Sequence, residues 1–507
     1  PTTTEIDGVN HYMNITFDMS WDNSWRDANN FDAAWIFVKY KKNSDSLWRH
    51  AYISTNAANH TVTNNNGVPA SFYVGKTNIA ATDRGMGVFA YRTNNGTGSN
   101  NWDGMKLRWY FNENGLTETD TIQVKVFAIE MCYVPQGPHF VGDGTIILAD
   151  IKGQLHDAAS VATPFQILNE NALTLGGVVA GNLGNNNATG MNPVDDFNNT
   201  TTQILPATFP KGYNAFFCQK YEVSQEEYVG FLNSLTRYQQ SKRTYTNTNS
   251  GTSIVINKFV LVNSATPLYR NGIRCDGNID PFLPINFYSD LNNNGIINEI
   301  DDGQNIPVNM ILWSEVTAYF DWAGIRPMSE LEFSKACRGT VAPVLGEGAW
   351  GNTTMNKITG ILNSGKENEV SLNTPTNIST QSAFATGPVK CGIFATAISN
   401  RIESGSSYYG VMELSGNEAE RTVSIGSAAG RIFDGVHGDG MLSLITGYGD
   451  VSNWPDNSTT LGTGQLGGSY LGVATNVNWR LSVRTGVNNA SIIRVSGFGM
   501  RGVRTAP

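Results

Sequence analysis

A period of two in the first 130 residues constrains the fold most. Ile15, Phe17, Met19 and Trp21 alternate with Thr16, Asp18 and Ser20, and Ile122, Val124 and Val126 alternate with Gln123 and Lys125. Successive side chains of a strand point to opposite faces, so this pattern buries one face and wets the other. Residues 34–40 (AWIFVKY) and 106–111 (KLRWYF) add runs rich in aromatic and other apolar residues. Turn clusters such as 93–101 (TNNGTGSNN) lie between them and supply the positive-φ positions that hairpins need. Residues 1–130 therefore read as an all-β sandwich of immunoglobulin or fibronectin type, with Trp21, Trp35 and Trp109 in its core.

Beyond residue 130 the pattern changes to α+β. Residues 131–142 (MCYVPQGPHFVG) read as a strand broken by a Pro-x-Gly turn, and 182–202 as an Asn/Thr-rich surface loop. The run FFCQKYEV at 216–223 is a strand, followed by a helix that Ser224 caps, with Glu227 completing the capping box. Tyr228, Phe231, Leu232 and Leu235 then recur at helical spacing. A second helix is expected from Ser314 to about Trp322, and a third after Ser329, which forms another capping box with Glu332. Residues 340–507 are dominated by Gly, Ser, Asn and Thr and predict an irregular, loop-heavy region.

Charge and composition remove several function classes. A net charge of −9 argues against nucleic acid or anionic membrane as partner, since both attract a basic face. No apolar run approaches the roughly 20 residues of a membrane helix. With 53 glycines and 15% charged residues, the chain resembles secreted β-rich proteins. A removed export signal would account for a start at Pro1, as would a trimmed chain. The five cysteines (132, 218, 275, 337, 391) form no C-x-x-C pair, and the six histidines form no H-E-x-x-H. Asn-x-Ser/Thr sequons recur as in any chain rich in Asn and Thr. The Gly-rich run at 462–468 lacks the strand-before, helix-after context of a phosphate loop.

Six landmarks in order carry a family resemblance. They are 131–142, KYEVSQEEYVGF at 220–231, the segment 307–339 (PVNMILWSEVTAYFDWAGIRPMSELEFSKACRG), GVMELSGNEAER at 410–421, LGGSY at 466–470 and GVR at 502–504. Together they resemble the formylglycine-generating enzyme (sulfatase-modifying factor) family. The resemblance implies a C-type-lectin-like domain over 131–507, with surface insertions at about 144–212 and 240–305. Catalytic members hold copper through two thiolates placed as GGSW-x-C-x-x-x-x-C, which this resemblance aligns with Gly472 and Val477. Neither side chain can coordinate a metal or act as a nucleophile, so the chain reads as a non-enzyme.

Calcium fits the sequence better. Residues 290–301 (DLNNNGIINEID) place Asp290, Asn292, Asn294, Asn298 and Asp301 at positions 1, 3, 5, 9 and 12 of an EF-type loop. Gly295 stands at the sharp turn, and the Ile296 carbonyl is available at position 7. Two acidic side chains predict weak affinity, suited to millimolar extracellular calcium; a plain Asn-Gly turn is the alternative. The family resemblance implies a second site in ELSGNEAE at 413–420, using the side chains of Glu413 and Glu420 and the carbonyls of Gly416 and Glu418. A hydrogen-bonded acidic turn is the alternative there.

Three functions follow. The first is a non-catalytic extracellular or cell-surface structural or adhesive protein, calcium-stapled and self-assembling as a homo-oligomer or filament. The second is a lectin-like module for carbohydrate or protein. It would use the 470–494 end, with Tyr470, Asn476, Asn478, Trp479 and Asn488 as candidate contacts, although core packing is the favoured role of Trp479. The third is a copper-dependent oxidase, which Gly472 and Val477 oppose.

Overall fold

The computed structural model describes residues 1–77, 83–147, 153–185, 191, 194–297, 299–380, 386–472 and 477–507. The N-terminal part is all β. Its strands are β1 (Thr2–Asp7), β2 (Tyr12–Arg26), β3 (Asp32–Lys42), β4 (Arg49–His50), β5 (Thr61–Asn64), β6 (Ala70–Lys76), β7 (Gly85–Arg92), β8 (Gly96–Tyr110) and β9 (Ile122–Val134). One sheet has the order β1-β2-β8-β5 and the other runs β9-β3-β7-β6, with β4 beside β3. Met13 and Ile15 of β2 and Leu107 and Trp109 of β8 share a core with Ala34, Ile36 and Val38 of β3 and Val88 of β7.

The continuous apolar run of β3 has a physical reason. Its even-numbered residues from Ala34 to Tyr40 face that N-terminal core, whereas Ala33, Trp35 and Phe37 belong to a second core with Phe217, Phe231, Phe320 and Trp322. A strand buried on both faces loses its alternation. Trp35 therefore leaves the N-terminal core to which the sequence assigned it: its indole donates to the Ala323 carbonyl at 2.8 Å, and Arg504 stacks on its ring at 4.6 Å. Trp109 is fully buried as expected, while Trp21 is half-buried, edge-on to Trp102, and donates to Asp32 at 2.9 Å.

After β9 the chain forms β10 (His139–Val141), β11 (Leu155–Asp157), β12 (Phe165–Ile167), β13 (Leu173–Leu175), β14 (Leu183–Asn185), β15 (Gln203–Leu205) and β16 (Phe216–Gln219). The expected surface loop at 182–202 needs correction. Leu183–Asn185 is a buried strand in the sheet β11-β14-β13-β15, Phe197 is fully buried, and Asp195 is ion-paired to Arg484 at 2.8 Å. Its few apolar residues and one buried carboxylate anchor an otherwise polar segment.

The helices follow their caps. In α1 (Gln225–Leu232) and α4 (Glu330–Arg338), Ser224 and Ser329 accept from the third helical N–H, and Glu227 and Glu332 reach back to the cap. Between them lie α2 (Arg237–Ser241), β17 (Ile273–Arg274), β18 (Tyr288–Ser289), α3 (Trp313–Trp322) and β19 (Arg326–Pro327). The C-terminal part adds β20 (Ile361–Leu362), β21 (Val370–Ser371), α5 (Arg401–Ser404), β22 (Ala419–Val423), α6 (Ala428–Arg431), β23 (Thr463–Leu466), β24 (Phe498–Gly499) and β25 (Gly502–Thr505), with long loops between them. The sheet that begins in the N-terminal part continues β9-β16-β25-β19. The expected boundary at 130/131 falls inside β9, whose end pairs with β3 and β16 at once, Cys132 lying opposite both Asp32 and Cys218. No described helix is long and apolar enough to cross a membrane.

Candidate functional site

In the loop after β18, Asp290 accepts from the N–H groups of Asn294 and Gly295, each at 3.1 Å. Asn292 and Asn294 cap the next turns in the same way, at 3.0 and 2.7 Å. Gly295 has φ +84°, which explains why a residue without Cβ stands there. The far side of the loop folds back. Asn292 Nδ2 donates to Glu299 at 3.2 Å and to Asp301 at 3.0 Å, and Asn294 Nδ2 donates to Glu299. Carboxylate oxygens of Glu299, Asp301 and Asp302 lie within 4.8 Å of one another.

The structure thus gathers Asn292, Asn294 and Asp301 and adds Glu299 and Asp302, which the position-by-position register passed over. Asp302 is buried, its Oδ2 accepts from Glu299 N at 2.8 Å, and its Oδ1 has no donor. Burial, then the neighbouring Asp290, Glu299 and Asp301, push its carboxyl up to about 6. Asp290 departs from the expected role, because Arg274 pairs with its Oδ2 at 2.6 Å. Asn298 lies outside the described residues, and the side chain of Ile296 is exposed.

The second cluster sits at the entry to β22. Glu413 and Asn417 take left-handed backbone at φ +54° and +60°, and a Cβ on Gly416 would meet the Ser379 carbonyl at 2.8 Å. This tight turn points several carboxylates inward. Glu222, Glu413, Glu418 and Glu420 are all buried. Glu222 is satisfied by Glu418 N at 2.8 Å and Asn417 Nδ2 at 2.6 Å. Glu413 Oε1 accepts from Gly392 N at 3.0 Å, and Glu420 Oε1 accepts from Arg501 Nη2 at 3.1 Å. Glu413 Oε2, both oxygens of Glu418 and Glu420 Oε2 have no donor.

Burial pushes Glu413 and Glu420 up to about 7, against the lowering pull of Arg501. Burial and then the neighbouring glutamates hold Glu222 and Glu418 well above the carboxylate range. A Cβ on Gly467 would lie 2.7 Å from both Glu420 Oε2 and the Leu414 carbonyl. The glycine therefore leaves room beside two oxygens. Glu413 Oε2 and Glu420 Oε2 are orphaned buried carboxylate oxygens, the ligand type that a hard cation takes. Glu222 was missed in the sequence because KYEV reads as an ordinary strand end.

A cleft of about 160 Å³ opens between β23 and the segment 468–486, lined by Ala419, Gln465, Ser469, Leu471, Gly472, Asn478, Thr485 and Phe498 among others. Gly472 forms part of its wall; Val477 adjoins Asn478, and 473–476, including Asn476, lie outside the described residues. The cysteines sit elsewhere. Cys132, Cys218 and Cys337 share one buried apolar cluster, Cys275 belongs to another core, and Cys391 lines a separate cavity with Glu222. Burial pushes the thiols up, Cys218 to about 12 and Cys275 to about 11. Of the other candidate contacts, Tyr470 is 1% exposed and Trp479 5%, the latter stacked on Trp350, so neither ring is open to a ligand. Asn478 accepts from Thr485 Oγ1 at 3.0 Å inside the cleft, and Asn488 donates to the Val194 carbonyl at 3.2 Å.

Comparison with known proteins bears on this geometry. The family described as "Sulfatase-modifying factor enzyme 1-like domain" matches residues 173–506. No curated protein matches the chain. Among solved structures, Treponema denticola variable protein 1 is similar at 13% identity, over 75% of this chain and 96% of its own, with a TM-score of 0.28.

Proposed function

Since the chain belongs to the sulfatase-modifying factor enzyme 1-like family, we propose that it is a member without oxidase chemistry, a structural or adhesive protein stapled by calcium. One observation carries this reading: the cleft wall has Gly472 where the family resemblance places a thiolate, and the five thiols are in apolar cores or a separate cavity. Copper(I) needs soft ligands, and the described cleft residues offer hydroxyls, amides and apolar groups. The N-terminal sheets read as an immunoglobulin-like sandwich and the remainder as a C-type-lectin-like domain.

Calcium is proposed at two places. Glu413 and Glu420 would hold one ion through their orphaned oxygens, the expected carbonyls of Gly416 and Glu418 completing the set. Asn292, Asn294 and Asp301, with Glu299 and Asp302, would hold another. Calcium supplies charge compensation and cross-linking there. Extracellular or cell-surface placement and self-assembly complete the proposal. Size-exclusion chromatography and negative-stain microscopy test the assembly: regular polymers support it, and a monodisperse monomer counts against it. The lectin-like alternative rests on the hydroxyl- and amide-lined cleft, and glycan-array binding by a monomer would favour it.

A further inference from the structure

The N-terminal sheets leave one edge unfinished. β1 pairs with β2 only as far as Thr2 opposite Thr16, whereas β2 runs on to Arg26 with β8 along its other side. Among the described residues, no strand pairs with β2 on the β1 side beyond Thr16. An antiparallel strand offers hydrogen-bonding groups to both sides, so residues 17–21 present main-chain donors and acceptors along an open edge.

The apolar surface beside that edge is unfinished too. Phe17, Met19 and Trp21 of β2 and Val126 of β9 pack against the N-terminal core yet are only half-buried, and Ala128 is exposed. Their neighbours on β3, Val38 and Ile36, are fully buried. Between β2 and β9 lies a groove of about 630 Å³, lined by Phe17, Asp18, Met19, Val126 and Ala128, with Pro1 and Thr2 beside them. One more strand beside β2 would cover this surface and satisfy the open edge together.

Charge says which strand fits. Asp18, Ser20 and Asp22 alternate with the apolar residues and are exposed. Asp18 accepts from Gly104 N at 2.8 Å and Asp22 from Ser99 Oγ, so each carboxylate meets a neutral group, and among the described residues neither is ion-paired. A second copy adding its own β2, antiparallel about Ser20, would set Asp18 against Asp22, and like charges directly opposite are destabilising. A strand with lysine or arginine between its apolar residues is complementary on both faces.

We infer that this edge is a docking site for an extended segment of a partner protein, apolar at every second residue and basic between, which adds to the sheet beside β2. Main-chain hydrogen bonds supply affinity, and the groove between β2 and β9 reads the apolar side chains. The inference goes beyond the adhesive reading, and it holds whether or not the family domain binds calcium or copper.

The test uses the full chain and a synthetic peptide, acetyl-TKVKVKVKT-amide, with two controls: glutamate in place of every lysine, and proline in place of the central valine. Calorimetry should show one saturable site for the lysine peptide, several-fold weaker binding of the glutamate peptide, and no binding of the proline peptide, which lacks a main-chain donor and the strand geometry. Hydrogen exchange should slow at residues 17–21 when the lysine peptide binds. Asp18→Lys/Asp22→Lys, on the exposed face, should fold and reverse the preference between the lysine and glutamate peptides. Ala128→Phe, which fills the groove from an exposed position, should melt like the parent and weaken binding several-fold. No saturable binding, protection confined to other residues, equal binding of the proline peptide, or an unaltered preference in the folded charge-swapped variant would each overturn the proposal. Dimerisation without peptide, with protection at residues 17–21, would give the edge to a second copy and overturn it as well.

Discussion

Glu413 and Glu420 are buried carboxylates that burial holds up to about 7, well above their value in an unfolded chain. A group raised on folding contributes stability that is fully present below its unfolded pKa of about 4.5 and lost as pH rises through about 7. The metal-free protein should therefore melt progressively lower between pH 5 and pH 8, by on the order of a few kcal/mol in stability. Calcium binds the deprotonated form, so millimolar calcium should remove that loss and stabilise most at high pH. Melting curves in chelator and in calcium across this range check it; pH-independent curves in chelator would count against the cluster. Glu420→Gln should flatten the metal-free profile and shrink the calcium response. At the other site, Asp301→Asn should weaken calcium-dependent protection of residues 286–304 from proteolysis, leaving the response at Glu413 and Glu420 intact.

Individual elements show what the sequence could and could not tell. The capping boxes at Ser224–Glu227 and Ser329–Glu332 were legible because a cap is a local contract between residues three apart. Ser329 also donates to the Pro210 carbonyl at 2.7 Å, so Ser329→Ala should cost about 1–2 kcal/mol by denaturant unfolding. The turn at Gly295 was legible for the same local reason, whereas the turn before β22 was read only through the family resemblance. Leu183–Asn185 was not, because three residues in a polar stretch carry no period and gain their place only by pairing with β11 and β13. Asp302 and Glu222 were likewise invisible: their roles depend on which backbone folds over them.

Across the whole molecule, β3 is shared between two cores, so the N-terminal sheets form a wall of the family domain. Trp35→Ala should destabilise by ~3–5 kcal/mol, the range for a buried large aromatic, even though Trp35 lies far in sequence from α3 and Arg504. Removing residues 1–120 would strip Trp35, Phe37 and Phe89 from the second core, and the remaining chain should be insoluble or molten by near-ultraviolet dichroism. The scaffold thus depends on its first strands, while its cleft depends on residues 465–486. The most direct test of a calcium-held, copper-free scaffold is the metal content of purified protein by plasma mass spectrometry, after exposure to both ions under reducing conditions and exhaustive dialysis in millimolar calcium. Calcium at about two ions per chain with copper at background is the expected result; one copper per chain, retained through dialysis, would contradict it.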